Sequence, residues 1–143
     1  MAQTFSTELA PTQASPAGVP SASNGYGARV HRYRASITLA AQASGDTVVL
    51  ANIPPGSCFA GGDIVSDTSL GTATVSIGNA SSAAKYKAAA VFTATDTPTQ
   101  FGKAAAYAGA ASSAVEQVLL TVGAAALPSS GQLVIDLYFS SPV

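Results

Sequence analysis

From Arg29 onward the chain alternates apolar and polar side chains with a period of two. In residues 33–39, Tyr33, Ala35, Ile37 and Leu39 fall on one face, while Arg34, Ser36 and Thr38 fall on the other. Successive side chains of a strand point to opposite sides, so this pattern predicts a half-buried strand. Residues 72–77 repeat it, with Ala73, Val75 and Ile77 inward. So do residues 116–122, through Val118, Leu120 and Val122, and residues 132–140, through Leu133, Ile135, Leu137 and Phe139. Residues 47–53 (TVVLANI) read as a strand apolar on both faces. Residues 58–66 (SCFAGGDIVS from Ser57) read as another, with Gly61-Gly62 marking a bulge or a close backbone approach. The expected core is Ile37, Leu39, Val49, Ile53, Phe59, Val75, Ile77, Val118, Leu120, Ile135, Leu137 and Phe139.

The segments between these strands carry turn chemistry. Residues 42–46 (QASGD) favour a turn, and Pro54-Pro55-Gly56 ends the second strand because proline cannot donate to a ladder. Residues 123–131 (GAAALPSSG) are too long for a tight hairpin. Residues 81–109 are ambiguous: the alanines of 83–90 suit a helical turn, whereas Val91-Phe92-Thr93-Ala94-Thr95 suits a strand. Six to eight short strands joined by Gly, Pro and Ser predict an all-β fold, a single β-sandwich of jelly-roll type over residues 29–143. Residues 1–28 differ in kind. Pro11, Pro16, Pro20 and Asn24-Gly25 interrupt them, and Glu8 is their only charged side chain, so they read as an extended or disordered N-terminal arm.

Composition narrows the function classes. Charged residues are only 9% of the 143, and the net charge is −1, too weak a field to capture nucleic acid or an anionic membrane. Hydrophobic content is 48%, but 30 of those residues are alanine, so the core must be thin and association with other copies or a larger surface would help. No apolar run approaches the ~20 residues of a membrane helix, and the opening MAQTFSTELAP lacks the basic and apolar regions of a secretory signal.

Catalytic chemistry finds little to work with. His31 is the only histidine, and Arg29, Arg32 and Arg34 around it disfavour a proton or a metal cation there. Cys58 is the only cysteine and precedes Phe59 in an apolar strand, with no neighbouring base. Asp63 and Asp67 flank a strand end without the spacing of a calcium loop. Asp136 lies opposite the apolar face of the last strand, towards solvent or a subunit interface. Neither a phosphate-binding loop, a dinucleotide fingerprint nor a hydrolase motif occurs. The chain therefore reads as non-enzymatic, with no catalytic, cofactor or metal site.

Two local features remain. Arg29-Val30-His31-Arg32-Tyr33-Arg34 holds half of the six Lys and Arg residues. It is either a charged strand edge that deters unwanted pairing or a docking patch for acidic side chains on a partner. In the second case Arg29, Arg32 and Arg34, with His31 among them, supply bidentate contacts and Tyr33 the flat surface. Lys85-Tyr86-Lys87, before an alanine-rich stretch, reads as an exposed loop.

The order of these segments resembles a family. A basic strand start (RVHRYRASITL) precedes Asp-Thr-Val-Val-Leu and a Pro-Pro-Gly turn, then Ser76-Ile77-Gly78-Asn79-Ala80. AAKYKAAAVFTATDTPTQFGK follows, and the chain closes on Gly131-Gln132-Leu133-Val134-Ile135-Asp136-Leu137-Tyr138-Phe139. Over residues 29–140 this is similar to the head decoration (cement, or capsid-stabilising) proteins of tailed bacteriophages. The resemblance implies a structural virion protein, made in the host cytoplasm, that binds the major capsid protein on the outer capsid surface, often as a homotrimer. A fibre, tail or adhesin subunit is the alternative.

Overall fold

The computed structural model describes residues 27–141, so the expected arm, apart from its last two residues, lies outside the described residues. Eight strands and one helical turn follow in order: β1 (Arg29–Thr38), β2 (Thr47–Ile53), β3 (Cys58–Ser66), β4 (Thr74–Gly78), β5 (Lys87–Val91), β6 (Thr99–Phe101), α1 (Ala104–Tyr107), β7 (Glu116–Gly123) and β8 (Gln132–Ser141). They form two four-stranded sheets, ordered β1-β8-β3-β6 and β2-β7-β4-β5. Every pairing is antiparallel. The eight-residue connection after β7 carries the chain from one sheet to the other, which is why it is longer than a hairpin turn. Among the described residues no helix is long and apolar enough to cross a membrane.

The core lies between the sheets, and period-two patterning chose its members well. Leu133, Ile135, Leu137 and Phe139 of β8 and Val118, Leu120 and Val122 of β7 are all buried. These two strands are interior to their sheets, so they supply the centre of both layers. Val49 departs from expectation: it is 52% exposed, and Leu50 is buried in its place. The β2–β7 register shifts between Val49 and Ala51, and one extra residue in a strand reverses which side chains face inward.

Residues 81–109 settle into structure that alternation could not reveal. Lys87–Val91 becomes edge strand β5, its Ala88, Ala89, Ala90 and Val91 exposed. Tyr86 just before it is 2% exposed, so Lys85-Tyr86-Lys87 is not the solvated loop its composition suggests. The small-residue run after β6 contains the single turn α1, whose Ala106 is buried.

Gly61-Gly62 does both things its sequence suggested. The β3–β8 register shifts between Phe59 and Gly61, and a Cβ on Gly62 would stand 2.4 Å from the Phe101 ring. Phe101 is buried against the missing side chain. Gly62→Ala must therefore displace a packed aromatic ring, and is expected to lower stability by about 1–3 kcal/mol in urea unfolding. An unchanged midpoint would mean that the ring has room to move.

Aromatic side chains gather at one end of the sandwich. Phe59 packs on Tyr86 at 4.6 Å, Tyr107 at 5.1 Å and Phe139 at 5.6 Å between ring centroids. Tyr33 meets Phe139 edge-on at 6.2 Å. This cluster supplies the bulk of the core at that end.

Candidate functional site

The basic run lies along β1, whose only sheet neighbour among the described residues is β8. The alternation of β1 divides the run between two faces. Arg32 and Arg34 point outward opposite Tyr138 and Asp136, while His31 and Tyr33 face the other way, opposite Phe139 and Leu137. Arg29, His31, Arg32 and Arg34 are exposed and Tyr33 is half-buried. His31 Nε2 lies 2.9 Å from Ser141 Oγ.

Arg34 is already engaged within the chain. Its Nε and Nη2 donate to the two carboxylate oxygens of Asp136, each at 2.8 Å. The Asp136 side chain is 11% exposed and that of Arg34 52%. Asp136 thus lies on the outward face as its position in β8 required, but beneath its partner rather than open to solvent. Hydrogen bonds from Arg34 hold the Asp136 carboxyl below the usual carboxylate range, against opposing desolvation; the charges of Arg34 and Arg32 add to the effect. Asp63 of β3 is its cross-strand neighbour on the far side, followed by Gln100 of β6. A row Arg34–Asp136–Asp63–Gln100 therefore crosses the whole sheet. Removing the guanidinium leaves two facing carboxylates, so in Arg34→Ala the Asp136 carboxyl is expected to titrate at higher pH by NMR. An unmoved titration would mean that Arg34 does not control it.

The second candidate site sits at the aromatic end. A cleft of about 620 Å³ opens there between the β2–β3 turn, the β4–β5 loop and the segment following β6, with Phe59 and Ile53 in its lining. On one wall Glu116, the first residue of β7, receives three donors. Lys85 Nζ donates to Oε2 at 2.5 Å, Asn79 Nδ2 donates to Oε2 at 3.1 Å, and the Tyr86 hydroxyl donates to Oε1. Asn79 is held in turn by a tight local turn, its Oδ1 accepting from the backbone N–H groups of Ser81 and Ser82 at 3.1 and 2.8 Å. Desolvation alone would raise the Glu116 carboxyl. Hydrogen bonds from Lys85, Tyr86 and Asn79, with the Lys85 charge, more than offset it and hold the group below its ordinary value. The Tyr86 hydroxyl is pushed far up, first by burial and then by Glu116. A carboxylate occupied by three donors is a structural anchor and a poor proton acceptor.

Sequence reading did not bring Glu116, Lys85, Tyr86 and Asn79 together, because they lie 30 or more residues apart around Glu116. The available signal was Tyr86 itself, a lone aromatic in an alanine-rich run. Cys58 lies between Ser57 and Phe59, which line the cleft, and its Sγ is 3.9 Å from the carbonyl oxygen of Gly109. Asp67 accepts from the backbone N–H of Gln132 at 2.8 Å and from the Thr68 hydroxyl at 2.9 Å, contacts that lower its carboxyl and tie down the start of β8. Among the described residues no three His, Cys, Asp or Glu side chains gather as a metal site would require.

Neither a family model nor a curated protein matches the sequence. Solved structures do match the fold. A chain of the cyanophage Pam1 capsid asymmetric unit superposes with a TM-score of 0.66 at 20% identity, over 90% of this chain and 96% of that one. A chain from the capsid of Ralstonia phage GP4 gives 0.66 at 17% identity, over 80% and 86%. A chain from the acidic stable capsid of Helicobacter pylori bacteriophage KHP30 gives 0.59 at 13% identity, over 80% and 89%. At these identities the likeness is one of fold: a two-sheet, all-β domain also found in three phage capsid structures.

Proposed function

We propose that this chain is a structural component of a phage virion, which binds the outer surface of the capsid through the major capsid protein and stabilises it. The observation that carries the reading is the fold likeness across nearly the full length of chains from three different phage capsids. The strand order β1-β8-β3-β6 facing β2-β7-β4-β5 supports a jelly roll, an architecture shared by viral capsid domains. In this reading residues 1–28 are an arm and residues 29–143 the sandwich. The role is non-enzymatic, and the protein acts as a homotrimer, which extends burial beyond a thin core.

Docking to the capsid is assigned to the β1 edge. Arg29 and Arg32 offer guanidinium groups, Arg34 is steered by Asp136, and His31 and Tyr33 complete the strip. Contacts of this kind at an interface rim weaken with salt. The test is reconstitution: particles stripped of this protein are incubated with the purified chain and imaged by electron microscopy. Density on the head, reduced by the double substitution Arg29→Ala with Arg32→Ala, is the expected result. Density confined to tail or fibres would overturn the head assignment, and undiminished occupancy in the double variant would overturn the docking strip.

A further inference from the structure

Glu116 lines both the aromatic-end cleft and a second depression formed with Asn79 and Ser81. Its Oε2 atom brings together two groups of complementary chemistry. Lys85 Nζ donates to that oxygen at 2.5 Å and Asn79 Nδ2 at 3.1 Å, so the two nitrogens are neighbours around one atom. An amine that has given up a proton is a nucleophile, and the carbon of a carboxamide is an electrophile. A carboxylate in contact with both can carry the protons that their reaction moves. The Tyr86 hydroxyl occupies Oε1, which leaves Oε2 to Lys85 and Asn79.

The electrophile is also polarised. Asn79 Oδ1 accepts from the N–H groups of Ser81 and Ser82 at 3.1 and 2.8 Å, and from the Ser81 hydroxyl at 2.9 Å. Two backbone N–H groups and a hydroxyl aimed at one carbonyl oxygen form an oxyanion hole, placed to hold charge that develops there when Cγ is attacked. The backbone fixes both reacting side chains in one closed turn. Asn79 N–H donates to Ser82 O at 2.9 Å, Lys85 N–H to the same oxygen at 3.2 Å, and Tyr86 N–H to Ile77 O at 2.9 Å. Gly78 at the foot of the turn allows this, since a Cβ there would overlap the Ser82 carbonyl. Groups held side by side in this way react as if at very high concentration.

We infer that Lys85 and Asn79 join in an intramolecular amide bond, formed once per chain with Glu116 as the proton carrier. Lys85 passes a proton to Glu116 Oε2, and its freed lone pair attacks Asn79 Cγ. The carbonyl π electrons move onto Oδ1, where Ser81 and Ser82 hold the charge. Glu116 delivers its proton to Nδ2, the carbonyl re-forms, and the Cγ–Nδ2 bond breaks to release ammonia. A second proton, lost by the attacking nitrogen to Glu116, leaves with the ammonia as ammonium and returns Glu116 to its carboxylate form. Nothing is oxidised or reduced, and no other reactant enters. Lys85 is partly exposed, which gives the ammonium a path to solvent. Three donors make Glu116 a poor proton acceptor, so the step is slow, but a single turnover in the life of each chain is enough. The bond would tie the end of β4 to the start of β5, and it stands apart from the virion reading because the free protein tests it.

The experiment follows the intact mass of the full-length chain at intervals after cell-free synthesis, with tryptic digestion of each sample. The expected result is the loss of one ammonia, about 17 Da, together with refusal of trypsin to cut after Lys85, whose amine is no longer free. Both signs should be absent from Lys85→Arg and from Asn79→Ala. In Glu116→Gln the link should form about 100-fold more slowly. Tyr86→Phe is the control for a loosened turn, since it leaves Oε2 and its two donors in place and should still form the link. A wild-type mass that stays at the full sequence value would overturn the proposal. Loss of ammonia with normal cleavage after Lys85 would overturn it equally, by showing that Asn79 has cyclised on its own backbone. An undiminished rate in Glu116→Gln, or an equal slowing in Tyr86→Phe, would remove Glu116 from the role of proton carrier.

Discussion

Truncating Ile135 to Ala is expected to lower the unfolding free energy by about 2–5 kcal/mol, and Leu120→Ala by a similar amount. Ile135 lies mid-strand in β8, flanked in register by Ala35 of β1 and Ile64 of β3. Leu120 lies mid-strand in β7, flanked by Val48 of β2 and Ile77 of β4. Both are fully buried, one from each sheet. Their neighbours are held by ladders on both sides and cannot collapse into the space left behind, so a cavity term adds to the lost transfer energy. Alanine fills many other positions, so few large side chains carry the apolar contact. Against a total stability of about 5–15 kcal/mol, either loss is severe. Val49→Ala is the control: at 52% exposure it should change stability by less than about 0.5 kcal/mol. Urea unfolding of the three variants decides it. Small losses at both Ile135 and Leu120 would mean that the sheets do not pack as described.

The physical reason some of this was legible in the sequence is that a sheet with one dry face writes its register into alternate residues. β2 and β3 have the bounds that turn residues and composition marked, and β7 and β8 differ only by a residue at their ends. Period two fails where a bulge inserts a residue, and so Val49 was expected in the core, where Leu50 is found instead. It also fails where alanine occupies both faces, as in Lys87–Val91, since a methyl group is equally at home in or out. The site was less legible than the fold. The basic run could be found by composition, but not the pairing of Arg34 with Asp136, which depends on the alignment of β1 with β8. Asp136 was one of seven carboxylates with nothing local to single it out. The Glu116 cluster depends on three segments meeting at one end of the sandwich, information that exists only once the strand order is fixed. Docking and stability are also entangled at Arg34. A loss of binding after Arg34→Ala reports on docking only if Asp136, left without its partner, has not loosened the sheet; Arg29 and Arg32 are the cleaner probes.

Glu116→Ala is expected to destabilise the fold by about 3 kcal/mol at neutral pH, because hydrogen bonds to a charged group are worth about 1.5–3 kcal/mol and the substitution leaves a buried hydroxyl behind. Lys85 can turn to water, its side chain being 39% exposed, but Tyr86 at 2% cannot. Most of the loss therefore falls on the Tyr86 hydroxyl, and Tyr86→Phe added to Glu116→Ala should restore part of it. The pH dependence follows from the two opposite shifts. The Glu116 carboxyl is held below its ordinary value, so its contribution is fully present above the unfolded value of about 4.3. That contribution fades as pH falls through the lower folded value, and the gap between wild type and Glu116→Ala should close there. The Tyr86 hydroxyl is shifted upward, so its contribution is fully present below the unfolded value of about 10 and declines as pH rises beyond it. Tyr86→Phe has no group to ionise, and its stability should fall less steeply above pH about 10 than that of the wild type. Chemical unfolding of wild type and the three variants from acid to alkaline pH measures both limbs. A gap to Glu116→Ala that stays constant through the acid range, or an alkaline limb identical in wild type and Tyr86→Phe, would show that these groups do not lock the β4–β5 loop to the start of β7.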